Sequence, residues 1–244
     1  MQRLIWTIIA AFAMSIVFGP IVVPWLKKLK FGQTIYDLGP ESHKKKQGTP
    51  TMGGLIFAVP SLIAAAAFAY NDTRFDYLLI VMLCALGFGL VGFVDDYIKV
   101  VKKRNLGLRA RAKIVAQVLI TAAFLCALTL NGTLTTYVTL PVLGTVDFGY
   151  AFYPVSFLLI IGMVNAVNLT DGIDGLSSSV TFVVMLGFLF VASFLGNTAV
   201  ALFAAAIAGG CAGFLSWNFY PAKTFMGDTG SMFLGGEIGR AHVR

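Results

Sequence analysis

Long apolar runs separated by short polar segments extend along the whole chain. Seven runs are long enough, or nearly so, to predict membrane-crossing helices, because about 20 apolar residues cover roughly 30 Å of hydrocarbon. An eighth run begins near Ser231. The seven runs lie near residues 4–26, 52–70, 77–94, 114–131, 152–168, 180–196 and 199–219. The predicted fold class is an all-α polytopic membrane protein.

The same pattern disfavours a membrane barrel and a cleaved leader. Barrel strands would alternate over about ten residues, and these runs do not alternate. The first run is too long for a signal-peptide core, so it predicts a retained helix. Residues 131–151 do alternate and are rich in Thr and Val, which predicts a short β-hairpin on the outer surface.

Composition excludes an ordinary soluble domain. Hydrophobic residues make up 58% of the chain and charged residues only 12%, whereas soluble domains carry roughly 25% charged residues. So few charges cannot cover a surface that faces water on all sides. Most of the chain is therefore expected to lie in lipid.

The basic residues predict the orientation of the chain. Lys and Arg outnumber Asp and Glu by 18 to 11, which gives a net charge of +7. Most of them follow the first, third and seventh runs: Lys27, Lys28, Lys30, Lys44, Lys45, Lys46, Lys99, Lys102, Lys103, Arg104, Arg109, Arg111, Lys113 and Lys223. By the positive-inside rule these segments are cytoplasmic and the N-terminus is periplasmic. The positive charge is thus chiefly a signal of membrane orientation. Some of the basic residues are expected to bind anionic lipid headgroups or a phosphorylated substrate. Nucleic acid is not an expected partner.

A pair of adjacent carboxylates closes the third run. Asp95 and Asp96 stand in GFVDDYIKV, and Lys99 follows one turn later. Adjacent carboxylates repel, so one pKa rises or a cation binds. The alternative is an ordinary helix end with solvated acids.

A second acidic motif, NAVNLTDGIDGL, contains Asn168, Asp171 and Asp174. Gly172 and Gly175 suit a tight turn with a close backbone approach to a ligand. On a helical turn the two carboxylates would face one way. The loop has no Lys or Arg to neutralise its acids, which favours a bound cation or a ligand with a sugar and a base. The alternative is a polar loop with a helix cap.

A third motif, NFYPAKTFMGDTGSMFLGG, contains Asn218, Lys223, Phe225 and Asp228. A glycine-flanked carboxylate at the start of a helix is a suitable Mg²⁺ ligand beside a phosphate. The alternative is an Asp that caps its own helix.

The fourth motif, SHKKKQGTPTMGG, combines basic residues, hydroxyls and paired glycines. Its candidates for cradling a phosphate or a nucleotide edge are His43, Lys46, Thr49, Thr51, Gly53 and Gly54. It is not a Walker A loop, because GxxxxGK[ST] is absent. The alternative is a positive-inside loop followed by a capped helix.

Together the four motifs place carboxylates, lysines and glycine-rich turns on one predicted membrane face. This combination is typical of metal-assisted phosphoryl transfer, in which positioning and charge neutralisation do most of the catalysis. Acyl transfer is disfavoured, because no GxSxG elbow is present.

The four motifs resemble those of the phospho-N-acetylmuramoyl-pentapeptide transferase family, within the superfamily of polyprenyl-phosphate sugar-1-phosphate transferases. The resemblance covers residues 1–236, and GTPTMGG, NLTDGIDGL and FMGDTGS are its most specific parts. It implies that undecaprenyl phosphate attacks the β-phosphate of UDP-N-acetylmuramoyl-pentapeptide (UDP-MurNAc-pentapeptide), giving lipid I and UMP with the help of Mg²⁺. It also implies the bacterial inner membrane, a cytoplasmic active site and a homodimer.

The resemblance also assigns residues. It implies catalytic roles for Asp95, Asp96 and Asp228, with Asp228 as the Mg²⁺ ligand and Asp95 as a base toward the lipid phosphate. It implies substrate binding by Lys46, Thr51, Lys99, Lys113, Asn168, Asp171, Asp174, Asn218 and Phe225. Phe225 would stack on the uracil ring, with Lys46 and Asp174 nearby. A phosphate monoester has a second pKa near 6, so we expect Asp95 to act mainly through electrostatics and orientation.

The last eight residues depart from the family pattern. Family members are expected to continue past LGG with further helices and a cytoplasmic histidine loop, whereas residues 237–244 read EIGRAHVR. The codons GAG ATC GGA AGA GCA CAC GTC of a sequencing adapter would encode EIGRAHV. We expect an incomplete transferase domain at 1–236 and a non-native tail at 237–244. The alternatives are a related transferase for another UDP-linked sugar phosphate, a transporter, or a non-catalytic fragment.

Overall fold

A computed structural model describes residues 1–28, 48–102, 106–140 and 144–241, with the side chains of Leu140, Arg240 and Ala241 left aside. In this part of the chain eight α-helices and one hairpin follow the order α1 Gln2–Lys28, α2 Leu55–Ala69, α3 Phe75–Val101, α4 Ala110–Leu130, β1 Tyr137–Leu140, β2 Gly144–Asp147, α5 Phe152–Thr170, α6 Leu176–Phe194, α7 Thr198–Asn218 and α8 Gly227–Ala241. The all-α polytopic prediction is confirmed.

Six of the described helices are long and apolar enough to cross a membrane: α1, α3, α4, α5 with its preceding 3₁₀ turn, α6 and α7. The second predicted run, 52–70, forms a shorter helix of 15 residues, which rises only about 22 Å. Its first residues are not helical, because Gly53 N–H and Gly54 N–H donate to the carbonyl oxygens of Phe225 and Met226. The start of this run thus serves to bind the segment before α8.

Helix α7 lies at the centre of the bundle and contacts α1, α2 and α6. Its sequence TAVALFAAAIAGGCAGFLSWN is dominated by small residues, which allow helix backbones to approach closely within lipid. A Cβ at Gly213 would lie 2.6 Å from the carbonyl oxygen of Phe12 on α1. This close packing holds α1, α2 and α6 around α7.

Helix α8 packs on α3 and α5. It begins at Gly227, four residues before the predicted Ser231, and continues across residue 236 to Ala241. Glu237 lies within it with 1% of its surface exposed. The early start brings Asp228 into the first turn of a buried helix.

The hairpin is the one described sheet, and it falls inside the predicted segment 131–151. Its strands are antiparallel, with Tyr137 opposite Asp147 and Leu140 opposite Gly144. Thr136 Oγ1 donates to Asp147 Oδ1 at 2.5 Å, which holds the pKa of this exposed carboxyl below its usual range. Because α4 leads into the hairpin and α5 leads out of it, the hairpin lies at the opposite end of the bundle from Asp228.

Candidate active site

The carboxylate of Asp228 is the point where four helices meet. Its Oδ2 accepts hydrogen bonds from Lys99 Nζ of α3 at 2.8 Å and from Lys113 Nζ of α4 at 2.7 Å. Its Oδ1 accepts from Asn168 Nδ2 of α5 at 2.9 Å. Charge-assisted bonds of this kind are about twice as strong as neutral ones. Asp228 therefore does not cap its own helix, and that alternative is wrong.

Asp95 lies on the far side of the two lysines and is almost fully buried, with 1% of its surface exposed. Its Oδ2 pairs with Lys99 Nζ at 2.5 Å and with Lys113 Nζ at 3.6 Å. Its Oδ1 accepts the backbone N–H of Leu108 at 2.7 Å. Gly107 is needed here, because its φ is +59° and a Cβ would lie 2.6 Å from Asp95 Oδ1.

Asp96 points away from Asp95 toward the start of α8. Its Oδ2 accepts both the backbone N–H of Thr229 at 2.9 Å and Thr229 Oγ1 at 2.7 Å. These bonds satisfy donors that the first turn of a helix leaves unpaired. The solvated-acid alternative is wrong for both members of the pair, since Asp96 is only 3% exposed.

The two carboxylates of the α5–α6 loop do not share a face. Helix α5 ends at Thr170, and residues 171–175 form turns rather than a helical turn. Asp171 accepts the backbone N–H of Gly227, beside Asp228, whereas Asp174 Oδ2 accepts the backbone N–H of Ala222 at 3.3 Å. The expectation that both face one way is corrected, and only Asp171 joins the Asp228 cluster.

Negative charge is in excess at this site, because Asp95, Asp96, Asp171 and Asp228 are set against Lys99 and Lys113. Burial, followed by the charges of Asp228 and Asp96, raises the pKa of Asp171 to about 8. For Asp228, burial is outweighed by the hydrogen bond with Asp95 and the charges of both lysines, which hold its pKa well below the usual range. The site is thus built to keep Asp228 ionised and to receive more positive charge.

No group of three or more His, Cys, Asp or Glu side chains in the described ranges is arranged as a metal site. Mg²⁺, however, usually binds through one or two carboxylates together with waters and substrate phosphates. Asp228 and Asp171, whose charges act on each other, could provide such a pair of oxygen ligands. The donor set therefore fits Mg²⁺ in company with a phosphate.

Sequence comparisons place this geometry among known proteins. The family described as Glycosyl transferase family 4 matches residues 78–244, which contain every residue of the Asp228 cluster. The pattern described as Phospho-N-acetylmuramoyl-pentapeptide-transferase signature 1 matches residues 46–57.

Curated relatives match over nearly the whole chain, and each carries the name phospho-N-acetylmuramoyl-pentapeptide-transferase. The relative from Acetivibrio thermocellus is 46% identical over 239 residues, covering 96% of this chain and 71% of the relative. That from Heliobacterium modesticaldum is 46% identical and covers 98% and 74%, and that from Clostridioides difficile is 44% identical and covers 97% and 73%. The chain belongs to the phospho-N-acetylmuramoyl-pentapeptide-transferase family. This confirms the predicted transferase and removes the transporter alternative.

In this member of the family, Asn218 at the end of α7 organises the loops next to the Asp228 cluster. Its Oδ1 accepts from the backbone N–H of Gly175 at 3.1 Å and from Ser178 Oγ at 3.3 Å, and its Nδ2 donates to the carbonyl oxygen of Thr224 at 3.1 Å. With 3% of its surface exposed, Asn218 acts through the loops that it holds.

The segment around Thr51 and Phe225 closes the other side of the cluster. Phe225 N–H donates to the carbonyl oxygen of Pro50 at 2.8 Å. Thr51 is buried, and a Cβ at Gly227 would lie 2.6 Å from its hydroxyl oxygen. Lys46 and His43 lie outside the described residues.

Several residues of the site were not singled out in the sequence, including two that stand inside the third motif. Thr229 bonds Asp96, and Ser231 Oγ accepts from Asn168 Nδ2 at 2.8 Å. Gln117 and Asn165 face each other one turn from Lys113 and Asn168. A signal for the last two existed, because an amide inside an apolar run is costly in lipid and calls for a partner.

An apolar cavity adjoins the cluster between α5, α6 and α8. Its volume is about 500 Å³, and its walls include Val167, Val184 and Phe188. Thr170, the neighbour of Asp171, lies at one end, and Val191 lies at the other. The cavity therefore extends along most of α6, from the end of the bundle that carries the cluster.

Proposed function

We propose that the site centred on Asp228 transfers phospho-N-acetylmuramoyl-pentapeptide from UDP-MurNAc-pentapeptide to undecaprenyl phosphate, giving lipid I and UMP. The observation that carries the proposal is the pair of lysine ammonium groups on one partly buried carboxylate, 2.7 and 2.8 Å away. Phosphoryl transfer needs charge placed around phosphate oxygens more than it needs covalent chemistry from the protein. The name of the relatives supports phospho-N-acetylmuramoyl-pentapeptide as the group transferred.

In this reaction an oxygen of the acceptor phosphate attacks the β-phosphorus of the donor. The bond from that phosphorus to the bridging oxygen breaks, and its electron pair leaves with UMP. The acceptor is mostly dianionic at neutral pH, because its second pKa is near 6. Asp95 then has no proton that it must remove, and its contribution is to orient Lys99 and Lys113.

Lys99 and Lys113 supply the positive charge. Both side chains are partly exposed, at 35% and 18% of their surfaces, which leaves room for a phosphate to approach while the lysines stay beside Asp228. Surrounded by buried helices, the two charges act in a medium of low polarity, where they stabilise phosphate oxygens more strongly than in water.

Asp228 and Asp171 would hold the Mg²⁺. When bound, the ion neutralises charge that develops on the diphosphate oxygens. Asn168 then keeps Asp228 in place by donating to its other oxygen.

The two substrates would approach from different sides. We propose that the donor nucleotide binds near Phe225, Asp174 and Thr51, together with Lys46. The isoprenoid chain of the acceptor would enter the cavity between α5, α6 and α8, whose apolar walls lead to Asp171. The chain would lie in the bacterial inner membrane with the Asp228 end in the cytoplasm, as the basic segments favour.

The proposal is tested in membranes that contain this chain, supplied with labelled UDP-MurNAc-pentapeptide, undecaprenyl phosphate and Mg²⁺. The assay is run on the chain alone and on the chain extended by the C-terminal region of a relative. Label in the lipid fraction supports the proposal. Label that enters only from a different UDP-linked sugar would assign the site to a related transferase, and no label from either form would contradict the proposal.

A further inference from the structure

Two amide side chains face each other across α4 and α5, inside otherwise apolar runs. Asn165 Nδ2 donates to Gln117 Oε1 at 2.8 Å, and Gln117 Nε2 donates to Asn165 Oδ1 at 3.4 Å. Gln117 has no exposed surface. Asn165 Nδ2 also donates to the carbonyl oxygen of Ile161 on its own helix at 2.8 Å.

The amide pair restricts the alignment of α4 and α5 in a way that apolar side chains would not. A buried amide without partners is strongly unfavourable in lipid, whereas two leucines would pack without any such requirement. The reciprocal bonds satisfy both amides only at one alignment of the two helices. The pair therefore fixes how α4 lies against α5.

That alignment is the one that brings two site residues to Asp228. Lys113 lies four residues before Gln117 on α4, and Asn168 lies three residues after Asn165 on α5, so each shares a helix face with its amide. Lys113 Nζ and Asn168 Nδ2 then bind the two different oxygens of Asp228, at 2.7 and 2.9 Å.

We infer that Gln117 and Asn165 are positioning residues that hold Lys113 of α4 on Asp228, beside Asn168 of α5. This inference rests on the proposed role of Asp228 at the centre of the transferase site. Within the described residues, the amide pair forms the hydrogen bonds that link α4 to α5. Ile114, Val115 and Leu119, on other faces of α4 near Lys113, are exposed, so their packing does not align this half of the helix; the buried residues Phe124, Leu125 and Leu128 lie in its other half.

The test measures the reactivity of individual lysines in the purified full chain, which does not depend on turnover. A lysine-acylating reagent is added, and labelling of Lys113 and of Lys99 is followed by mass spectrometry. Lys99 is the internal reference, because it lies on α3 and does not depend on the amide pair. Loss of the pair should free Lys113 from Asp228 and speed its labelling.

The variants are Gln117→Leu, Asn165→Leu and the two combined. The double variant should remain folded, since removal of both partners leaves no unpaired amide. We expect Lys113 to label about five-fold faster in all three, the factor to which about 1 kcal/mol for an interhelical hydrogen bond corresponds. The exchange variant, with Gln117→Asn and Asn165→Gln, should restore slow labelling because it keeps the combined length of the pair.

Thr121→Val is the matched control, because Thr121 is fully buried on the same helix and donates only to the carbonyl oxygen of Gln117. It should leave both lysines within about two-fold of the parent chain. Three outcomes would overturn the inference. Lys113 labelling could stay unchanged in the leucine variants, or the labelling of Lys99 and Lys113 could rise equally. The third is an exchange variant whose Lys113 is as reactive as in the leucine variants. A chain that failed the transfer assay but met these expectations would contradict the proposed function alone.

Discussion

The two sides of Asp228 are held by different kinds of contact. On the α3 side, the backbones of α3 and α8 touch: a Cβ at Gly92 would overlap the carbonyl oxygen of Asp228, and Asp96 caps α8 through Thr229. On the α4 side, the link is the side chain of Lys113 together with the amide pair that joins α4 to α5, whereas α5 itself packs closely on α8, with a Cβ at Gly235 only 2.5 Å from Val164 Cα. The first side is fixed by backbone packing, and the second by side-chain hydrogen bonds.

This difference separates stability from positioning. Backbone contact within a close-packed interior cannot give way without moving a helix, so damage on the α3 side should lower both stability and turnover. Side-chain bonds at the edge of the bundle can shift by an ångström while the helices stay folded. Substitutions on the α4 side should therefore lower turnover with little change in stability.

Gly92→Ala should give the largest combined effect. The new methyl group meets backbone rather than a flexible side chain, so α8 must move, at a cost of about 1–3 kcal/mol. Displacing Asp228 by about 1 Å should lower turnover on the order of 10²-fold. Thermal unfolding in detergent and the transfer assay measure the two effects.

Gly87→Ala is its matched control on the same helix. A Cβ there would lie 3.3 Å from a methyl group of Ile120 on α4, and that side chain can adjust. Stability and turnover should stay near those of the parent chain. Equal losses in both glycine variants would remove the distinction between the two sides.

Asp96→Ala should destabilise the chain by about 1–2 kcal/mol, because it leaves the first turn of α8 without its cap. Asp96→Asn should recover most of the stability and most of the turnover, since an amide oxygen still accepts from Thr229. If Asp96 acts on the substrate through its charge, the asparagine variant will be as inactive as the alanine variant. Unfolding curves and transfer rates of both variants decide between these roles.

The affinity for Mg²⁺ should depend on pH through Asp171. Because the pKa of Asp171 is raised to about 8, this carboxyl holds a proton at neutral pH that a bound cation must displace. The affinity should rise by up to about ten-fold per pH unit below that value and level off above it. Calorimetric titration with MgCl₂ over this range measures the slope, and Asp171→Asn should flatten it. A slope that survives in the variant would show that another group is responsible.

The sequence predicts the helices well, because each apolar run in lipid must pair its backbone N–H and C=O groups within the run itself. The hairpin is also predictable, since its pairs join residues only a few positions apart. The start of α8 is not, because Asp96, which is 133 residues away from Thr229, caps it. Local patterns cannot show a cap that comes from another helix.

The candidate site is predictable as a set of residue types but not as an arrangement. Asp95, Lys99, Asn168 and Asp228 are found from motifs and Lys113 from the family resemblance, and the structure brings them together. That Asp228 rather than Asp95 joins four helices depends on how α3, α4 and α5 surround α8. Asp174 and Asn218 belong to the neighbouring loops, a division that spacing alone does not reveal.

The central claim is that an ionised Asp228 and the charges around it carry out Mg²⁺-dependent transfer from UDP-MurNAc-pentapeptide to undecaprenyl phosphate. The most direct measurement is the rate of lipid I formation by Asp228→Asn, relative to the unaltered chain, in saturating Mg²⁺. We expect a loss of about 10²-fold or more, as for removal of a principal electrostatic group, in a variant that still folds. A rate near that of the unaltered chain would contradict the claim.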